Sequence, residues 1–353
     1  MLAGPSPASS GRSGVRGWGC SFAARAAEVG AEMSGMEFST AYAIAPAFTS
    51  VTKTAYYNYA TFFHADGRVL EGAGSQKGRS VIARALLDEG TVLCQLDRAD
   101  ELTQRQMRLG QPNFFLPFDR LGIDPFTAKF PVTLLAEGTV RGTGGIRIAD
   151  DECATSVPGL YAAGDAATRE LICGGFTGGG SHNSAWAMSS GSWAGTAAAR
   201  HSVALGSHAR RRGIDPAGAA GLRPTGAPGR AGLYREVVAA VQAEVLPYDK
   251  NYLRHRDRLR PALDSLDATW AALRGSLYGA GAEAFRAREA AAMVAHARWM
   301  YNAALARTES RGMHKRSDFP DADPGQQRRL LTGGLDEIWV APEAVGQLGR
   351  VAS

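Results

Sequence analysis

Four stretches of this sequence combine residue types and spacing that chemistry can use. The first is Ala162-Ala-Gly-Asp165, where an apolar run ends in small residues and then an acid. Small residues let backbone lie flat against a large planar ligand, and a carboxylate accepts hydrogen bonds from hydroxyl groups. The plain alternative for Asp165 is a helix N-cap. The second is Gly174-Gly-Phe-Thr-Gly-Gly-Gly-Ser-His-Asn-Ser184, which leads into a run of small residues. A helix starting there offers free N–H groups and partial positive charge to an anion or a carbonyl; the plain alternative is a surface loop. The third is Ala306-Arg-Thr-Glu-Ser-Arg-Gly-Met-His-Lys-Arg-Ser-Asp-Phe-Pro320. Its Arg311, His314 and Arg316 suit a charge-assisted network that anchors one element on another more than they suit catalysis. The fourth is Val69-Leu-Glu-Gly-Ala-Gly-Ser-Gln-Lys-Gly78, followed by a helix and a strand with Asp97 after it. That order imitates a dinucleotide-binding unit, although its spacing is GxGxxxG and the strand before it is short.

The elements that must position these residues follow from periodicity. Residues 21–33 predict a helix stopped at Gly30, and Met36–Phe38 predicts a short strand. Residues 49–130 mix short strands and turns, with one helix over Ser80–Asp88 and a strand over Thr91–Leu96. Ile146 and Ile148 alternate with polar positions, Pro158-Gly159 marks a turn, and Leu160–Ala163 predicts a short buried strand that delivers Gly164-Asp165. A small-residue helix is expected over Ser184–Arg200. Residues 205–231, rich in Gly, Pro and Arg, predict a linker. Between Leu233 and Thr308, breaks at Pro247 and Gly279/Gly281 predict three helices in an antiparallel bundle, with Val294, Ala297, Met300, Tyr301 and Ala304 in its seam. The first sixteen residues lack an apolar signal core and predict disorder, or a misplaced start of translation.

Composition bounds the function. The chain has 353 residues, 45% hydrophobic and 21% charged, with net charge +5. That is ordinary for a globular protein of two or three domains. No run reaches the roughly 18–20 apolar residues that span a bilayer. Basic residues are scattered, and the one dense cluster, Arg210-Arg211-Arg212, sits in the linker. Without a basic stripe interleaved with aromatics, a nucleic-acid partner is not expected. Cys20, Cys94, Cys153 and Cys173 lie far apart with no CxxC pair. Neither a metal site nor a disulfide framework is expected, and a reducing, cytoplasmic setting is.

Thr155-Ser-Val-Pro-Gly-Leu-Tyr-Ala-Ala-Gly-Asp-Ala-Ala167 resembles the T-x-V-P-G-L-Y-A-A-G-E/D signature of two-dinucleotide-binding-domain flavoproteins. The run over 306–320 resembles A-R-x-E-S-R-G-x-H-x-R-x-D-x-P, the close of the helical domain in the fumarate reductase/succinate dehydrogenase flavoprotein family. Gly30-Ala-Glu32 with Met36-Glu-Phe38, the glycine-rich segment 174–195 and Pro247-Tyr-Asp-Lys-Asn251 add to the match, and Ser189–Ser192 resembles adenylylsulfate reductase-like members. The resemblance implies an α/β FAD-binding domain with an α+β capping domain, plus a C-terminal all-α helical bundle. The flavin domain would comprise 17–48 and 136–204, the capping domain 49–135, the linker 205–231, the helical domain 232–320 and a tail 321–353.

The implied cofactor is FAD, contacted by Gly164, Asp165, Gly179, Gly180, His182, Asn183, Ser184 and Ala185. The implied reaction is hydride or electron transfer, with a small-molecule substrate and an electron-transfer partner protein. The catalytic candidates are Arg141 and Arg147, which flank Gly144-Gly145 and could hold an anion, and His182. The family's dicarboxylate-binding positions fall near Val140 and Gly178 or Gly179, and no R-G-E-G-G counterpart lies near Thr54–Ala60. A substrate other than succinate or fumarate is therefore expected. No strand–GxGxxG–helix unit opens the sequence. Two alternatives stay open: an inactive remnant or one part of a split flavoprotein needing a partner chain, and an NAD(P)-binding enzyme using Gly72–Gly78.

Overall fold

Helix α1 (Trp18–Glu28) forms where alanines recur at inward positions; Ala23, Ala24, Ala26 and Ala27 are all buried. Gly30, at φ +87°, turns the chain out of the helix, so α1 stops short of the expected 33. In this computed structural model the described residues are 18–38, 41–49, 55–75, 77–138, 143–176, 180–208, 213, 232–277 and 282–344. The first sixteen residues, Thr54, Gln76, Val140, Arg141, Gly178, Gly179, the Arg210–Arg212 cluster with most of the linker, Gly279, Gly281 and residues from 345 on lie outside them. After α1 comes strand β1 (Met33–Ser34). Met36–Phe38 is a 3-10 turn and not the expected strand, because Gly35 at φ +69° reverses the backbone and the Phe38 N–H bonds locally to the Gly35 carbonyl at 3.0 Å.

The chain divides into two compact units, one formed by residues up to Ala41 and from Glu137 onward, the other by Tyr42–Ala136. The second unit holds β2 (Ala41–Pro46), β3 (Thr61–His64), α2 (Arg79–Glu89), β4 (Val92–Gln95), α3 (Glu101–Gly110), α4 (Pro112–Leu121) and β5 (Phe130–Gly138), with sheet order β2-β5-β4-β3. Phe114, Phe115, Phe118 and Phe130 pack its core, and the Phe118 and Phe130 rings meet edge to face at 4.7 Å. The dinucleotide alternative fails here. A dinucleotide unit needs parallel strands joined by its helix, whereas β3 and β4, joined through α2, pair antiparallel from Thr61↔Gln95 to His64↔Val92. The glycines serve a tight loop instead: a Cβ on Gly78 would lie 2.0 Å from the Gly74 nitrogen.

The first unit continues with β6 (Gly145–Ile146), α5 (Glu170–Cys173), α6 (Gly180–Leu205), α7 (Leu233–Val245), α8 (Arg256–Ser276), α9 (Ala282–Ala306), β7 (Leu330–Gly333) and β8 (Trp339–Pro342). Its sheet runs β6-β1-β7-β8, with Met33 facing Ile146 on one side and Thr332 on the other, both antiparallel. The segment expected as a C-terminal tail thus supplies the hairpin β7–β8 and pairs with the start of the chain. Leu160–Ala163 is no strand. It closes a hairpin loop in which Thr155 N–H bonds to the Leu160 carbonyl at 2.9 Å around the Pro158-Gly159 turn, Gly159 standing at φ +80°. The helix expected over Ser184–Arg200 is longer at both ends. Helices α7, α8 and α9 pack as the predicted bundle, and Val294, Ala297, Met300, Tyr301 and Ala304 are wholly buried. Among the described residues no helix is long and apolar enough to cross a membrane.

Candidate functional site

Gly164 is the pivot of the site. It takes φ +59° at the start of the 3-10 turn Gly164–Ala166. Its N–H donates to the Ser190 hydroxyl at 3.0 Å, and its carbonyl accepts the Trp186 indole N–H at 3.1 Å. Its Cβ position would lie 3.8 Å from the Ala187 methyl. Two α6 residues one turn apart therefore fasten the loop backbone to the helix. Small residues permit this approach, and the buried Trp186 and Ser190 fix it. Neither residue was among those expected from sequence. Their i, i+4 spacing on one face of a small-residue helix is the signal that was there to find.

The expected cofactor contacts fall around this junction. Asp165 is exposed and lies beside Gly164. Gly180 opens α6, and His182, Asn183, Ser184 and Ala185 make up its first turn and a half. His182, Ser184 and Ala185 are exposed, while Asn183 is half-buried with Oδ1 shielded from water and without a hydrogen-bond partner. Gly164 itself meets α6 further along, at Trp186–Ser190, and not at these first residues.

Arg147 needs a correction. Its guanidinium is buried and bonds to Glu32 Oε2 at 2.7 Å and to Glu343 Oε1 at 3.0 and 3.1 Å. Glu343 in turn holds Arg329. A guanidinium held by two carboxylates is part of the structure that joins the β1 approach to the C-terminal hairpin, not a free anion receptor.

Behind Gly164 lies a polar cluster. The loop over Ala167–Arg169 is tied to the strand before it: Thr168 N–H bonds to the Ile146 carbonyl at 2.9 Å and Arg169 N–H to the Thr143 carbonyl at 2.7 Å. Glu170 Oε2 accepts from the Ser34 and Thr168 hydroxyls. Burial, reinforced by the nearby Glu37 charge, pushes the Glu170 carboxyl up to about 7, against the pull of Ser34, Arg329 and Thr168. Gly35 must be glycine beside it, since a Cβ there would come 2.6 Å from the Glu170 Cδ. The Thr143 hydroxyl is buried without a partner.

The C-terminal run forms a separate buried network. Arg307 donates to Glu37 Oε1 at 2.7 Å, to Glu309 Oε1 at 2.8 Å and to the carbonyls of Gln326 and Arg328. Arg254 donates to the Glu37 carbonyl at 2.7 Å and to His314 Nδ1 at 2.6 Å. An arginine only donates, so Nδ1 is the acceptor and Nε2–H faces the Arg307 carbonyl at 3.2 Å. Burial, and then the charge of Arg254, hold His314 neutral, well below the usual histidine range. Arg316 is buried and pairs with Asp318. The run reaches the glycine-rich loop through Met313 N–H, which donates to the Gly175 carbonyl at 2.8 Å. Among the described residues no cluster of His, Cys, Asp and Glu could hold a metal ion.

Comparison with known proteins sets this geometry in a family. Residues 250–339 match the model described as fumarate reductase flavoprotein C-term. An L-aspartate oxidase of Rhodospirillum rubrum is 32% identical over 230 residues, which cover 65% of this chain and 72% of that protein. A variant of the E. coli quinol fumarate reductase FrdA superposes with a TM-score of 0.69 at 18% identity, over 93% of this chain and 62% of its own. Mycobacterium smegmatis Sdh1 gives 0.68 at 18%, over 92% and 58%. Adenylylsulfate reductase of Archaeoglobus fulgidus gives 0.63 at 15%, over 90% and 60%. The chain thus spans about three fifths of the length of these solved relatives and shares their fold. By its aspartate oxidase relative, its C-terminal domain match and this fold, the chain belongs to the fumarate reductase/succinate dehydrogenase flavoprotein family.

Proposed function

We propose that this chain holds FAD and takes part in hydride or electron transfer to or from a small molecule other than succinate or fumarate, with a partner protein as electron carrier. The observation that carries the reading is the junction of Gly164 with α6, where a glycine at positive φ, followed by an exposed acid, is fastened by its backbone to Trp186 and Ser190 of a helix rich in small residues. The residues there suit a flavin. Asp165 Oδ2, without a protein partner among the described residues, suits the hydroxyls of a polyol chain. Asn183 Oδ1 is a buried acceptor that lacks a donor, which a ring N–H would supply. The amino end of the 26-residue α6 carries partial positive charge that favours a reduced, anionic ring. When bound, the flavin supplies the redox chemistry; the chain's groups bind it, orient it and set the charge around it. The absence of the family's dicarboxylate-binding residues from the sequence supports a different substrate.

The test is titration of the purified chain with FAD, followed by flavin fluorescence and visible absorption. Saturable binding is expected. A folded chain that leaves free FAD unperturbed overturns the reading.

One observation favours a second, compatible reading, that the chain works together with another folded piece. Met188 is 77% exposed and Trp193 50% on α6, and Leu171, Ile172 and Phe176 are exposed just before it. Exposed apolar side chains recurring over 171–193 suit a contact with another folded piece. Light scattering of the purified chain is expected to report self-association or aggregation; a strictly monomeric chain at high concentration counts against the reading.

A further inference from the structure

We propose that Arg169 is a positioning residue for the flavin's polyol and phosphate, acting by clamping and neutralising Asp165. This rests on the flavin reading above. Arg169 is one of the largest fully buried side chains, at 2% exposure, whereas Asp165, four residues earlier, has a side chain 56% exposed. The two meet at 3.1 Å between Nη1 and Oδ1. The spacing of four is not that of one continuous helix. Ala167, between them, is extended at φ −85° and ψ 149°, and α5 begins only at Glu170. The pair is made by the loop, and the loop is held from below. Ala167 bridges Ile146 in parallel, Thr168 N–H bonds to the Ile146 carbonyl, and both the Thr168 hydroxyl and the Arg169 N–H bond to the Thr143 carbonyl, at 3.0 and 2.7 Å. Arg169 therefore rises from a fixed base, through the interior, to a carboxylate at the surface.

Two consequences follow. First, one oxygen of Asp165 is taken by the guanidinium while Oδ2, on a side chain more than half exposed, has no partner among the described residues, so the clamp limits the orientations in which that acceptor is presented. Without the clamp an exposed aspartate rotates freely, and that freedom would have to be lost on binding. Second, the charge is balanced. FAD carries a diphosphate next to its polyol, and a lone carboxylate there repels it. A carboxylate paired with a buried cation accepts hydroxyl hydrogen bonds without that repulsion. Burial lowers the Arg169 proton affinity and the Asp165 charge opposes that only in part; the guanidinium stays charged all the same.

The experiment measures the affinity of the full chain for FAD and for riboflavin, which shares the polyol but lacks phosphate, by fluorescence quenching, with thermal unfolding as the control for folding. R169Q is expected to weaken FAD about tenfold or more and riboflavin clearly less. D165N added to R169Q is expected to restore part of the FAD affinity, because the repelling charge is gone, and R169K is expected to fall between wild type and R169Q. Added salt is expected to narrow the gap between R169Q and wild type. If a folded R169Q binds FAD like wild type, the role is overturned while the flavin reading stands. Equal losses for FAD and riboflavin overturn the charge-balancing part. Should R169Q fail to fold, unchanged FAD affinity in both R169K and D165N overturns the role. A folded wild-type chain that binds neither ligand overturns the flavin reading and this role with it.

Discussion

Arg307 and Glu37 stand 270 positions apart in the chain and meet at 2.7 Å, where each is almost wholly withdrawn from water. The pair joins the turn after β1 to the end of the helical domain. Phe38 adds its ring face to the same guanidinium, with the centroid 5.2 Å away. Burial pushes the Glu37 carboxyl up, and Arg307 and Arg254 oppose that shift.

Removing one partner of a buried pair leaves the other charge stranded, and Arg307 serves Glu309 as well as Glu37. Arg307→Met is expected to lower stability by about 3–5 kcal/mol. Arg307→Lys, which keeps the charge but loses the fork, should fall between. Urea unfolding midpoints check this; an unshifted midpoint in Arg307→Met would show that the network contributes nothing.

Gly312 stands at φ +57°, and a Cβ there would come 2.2 Å from the Gly175 carbonyl oxygen. Backbone would have to move against backbone. Gly312→Ala is expected to lower stability by about 1–3 kcal/mol and to release the loop over Gly174–Phe176, because Met313 N–H would lose Gly175. Amide exchange or limited proteolysis of that loop reads the effect. Protection equal to wild type would refute it.

Glu170 gives a pH dependence whose sign can be worked out. Its folded-state carboxyl sits at about 7, above the ordinary 4.5 of the unfolded chain, so the folded state binds the proton more tightly. The stabilising contribution is complete below pH 4.5 and is lost as pH rises through 7. Its size is about 1–3 kcal/mol at most, since Glu170 is only half-buried and interacts with Glu37. Glu170→Gln still accepts from Ser34 and Thr168 but cannot ionise, and it is expected to flatten the stability profile between those two pH values. A wild-type profile already flat there would sink the assignment.

The exposed apolar side chains of α6 predict a solubility effect without a stability effect. Met188→Glu with Trp193→Glu is expected to reduce dye binding to apolar surface and self-association, with the melting temperature changed little, because both side chains are exposed. A large fall in melting temperature would show instead that they pack within the fold.

Much of this molecule was legible in the sequence. The alanine-rich helices, the bundle seam at Val294, Ala297, Met300, Tyr301 and Ala304, and the helix after Gly78 follow from local periodicity and glycine stops, which short-range sterics decide. The small-residue run at Ala162–Asp165 and the small residues of α6 foretold a close approach, and Gly164 does pack against Ala187. What sequence could not supply were relations between distant segments. Leu160–Ala163 has strand composition, yet it closes a hairpin loop because its partners are Ala154 and Thr155. Gly72–Gly78 imitates a dinucleotide loop, but the antiparallel pairing of β3 with β4 was hidden because strand direction is set by topology.

Arg147 looked free for an anion until the fold brought Glu32 and Glu343 to it, and Arg169 drew no notice until burial left it facing Asp165. The sequence alone determined helices such as α2 and the bundle helices α7, α8 and α9, because local periodicity depends on each residue and its near neighbours, but within 49–130 it showed one helix where the described residues form three α-helices, α3 and α4 having escaped it. Only the tertiary structure decided which charges are paired and which are buried. Ion pairing and desolvation depend on distances across the fold, and those distances are not written in the order of the residues.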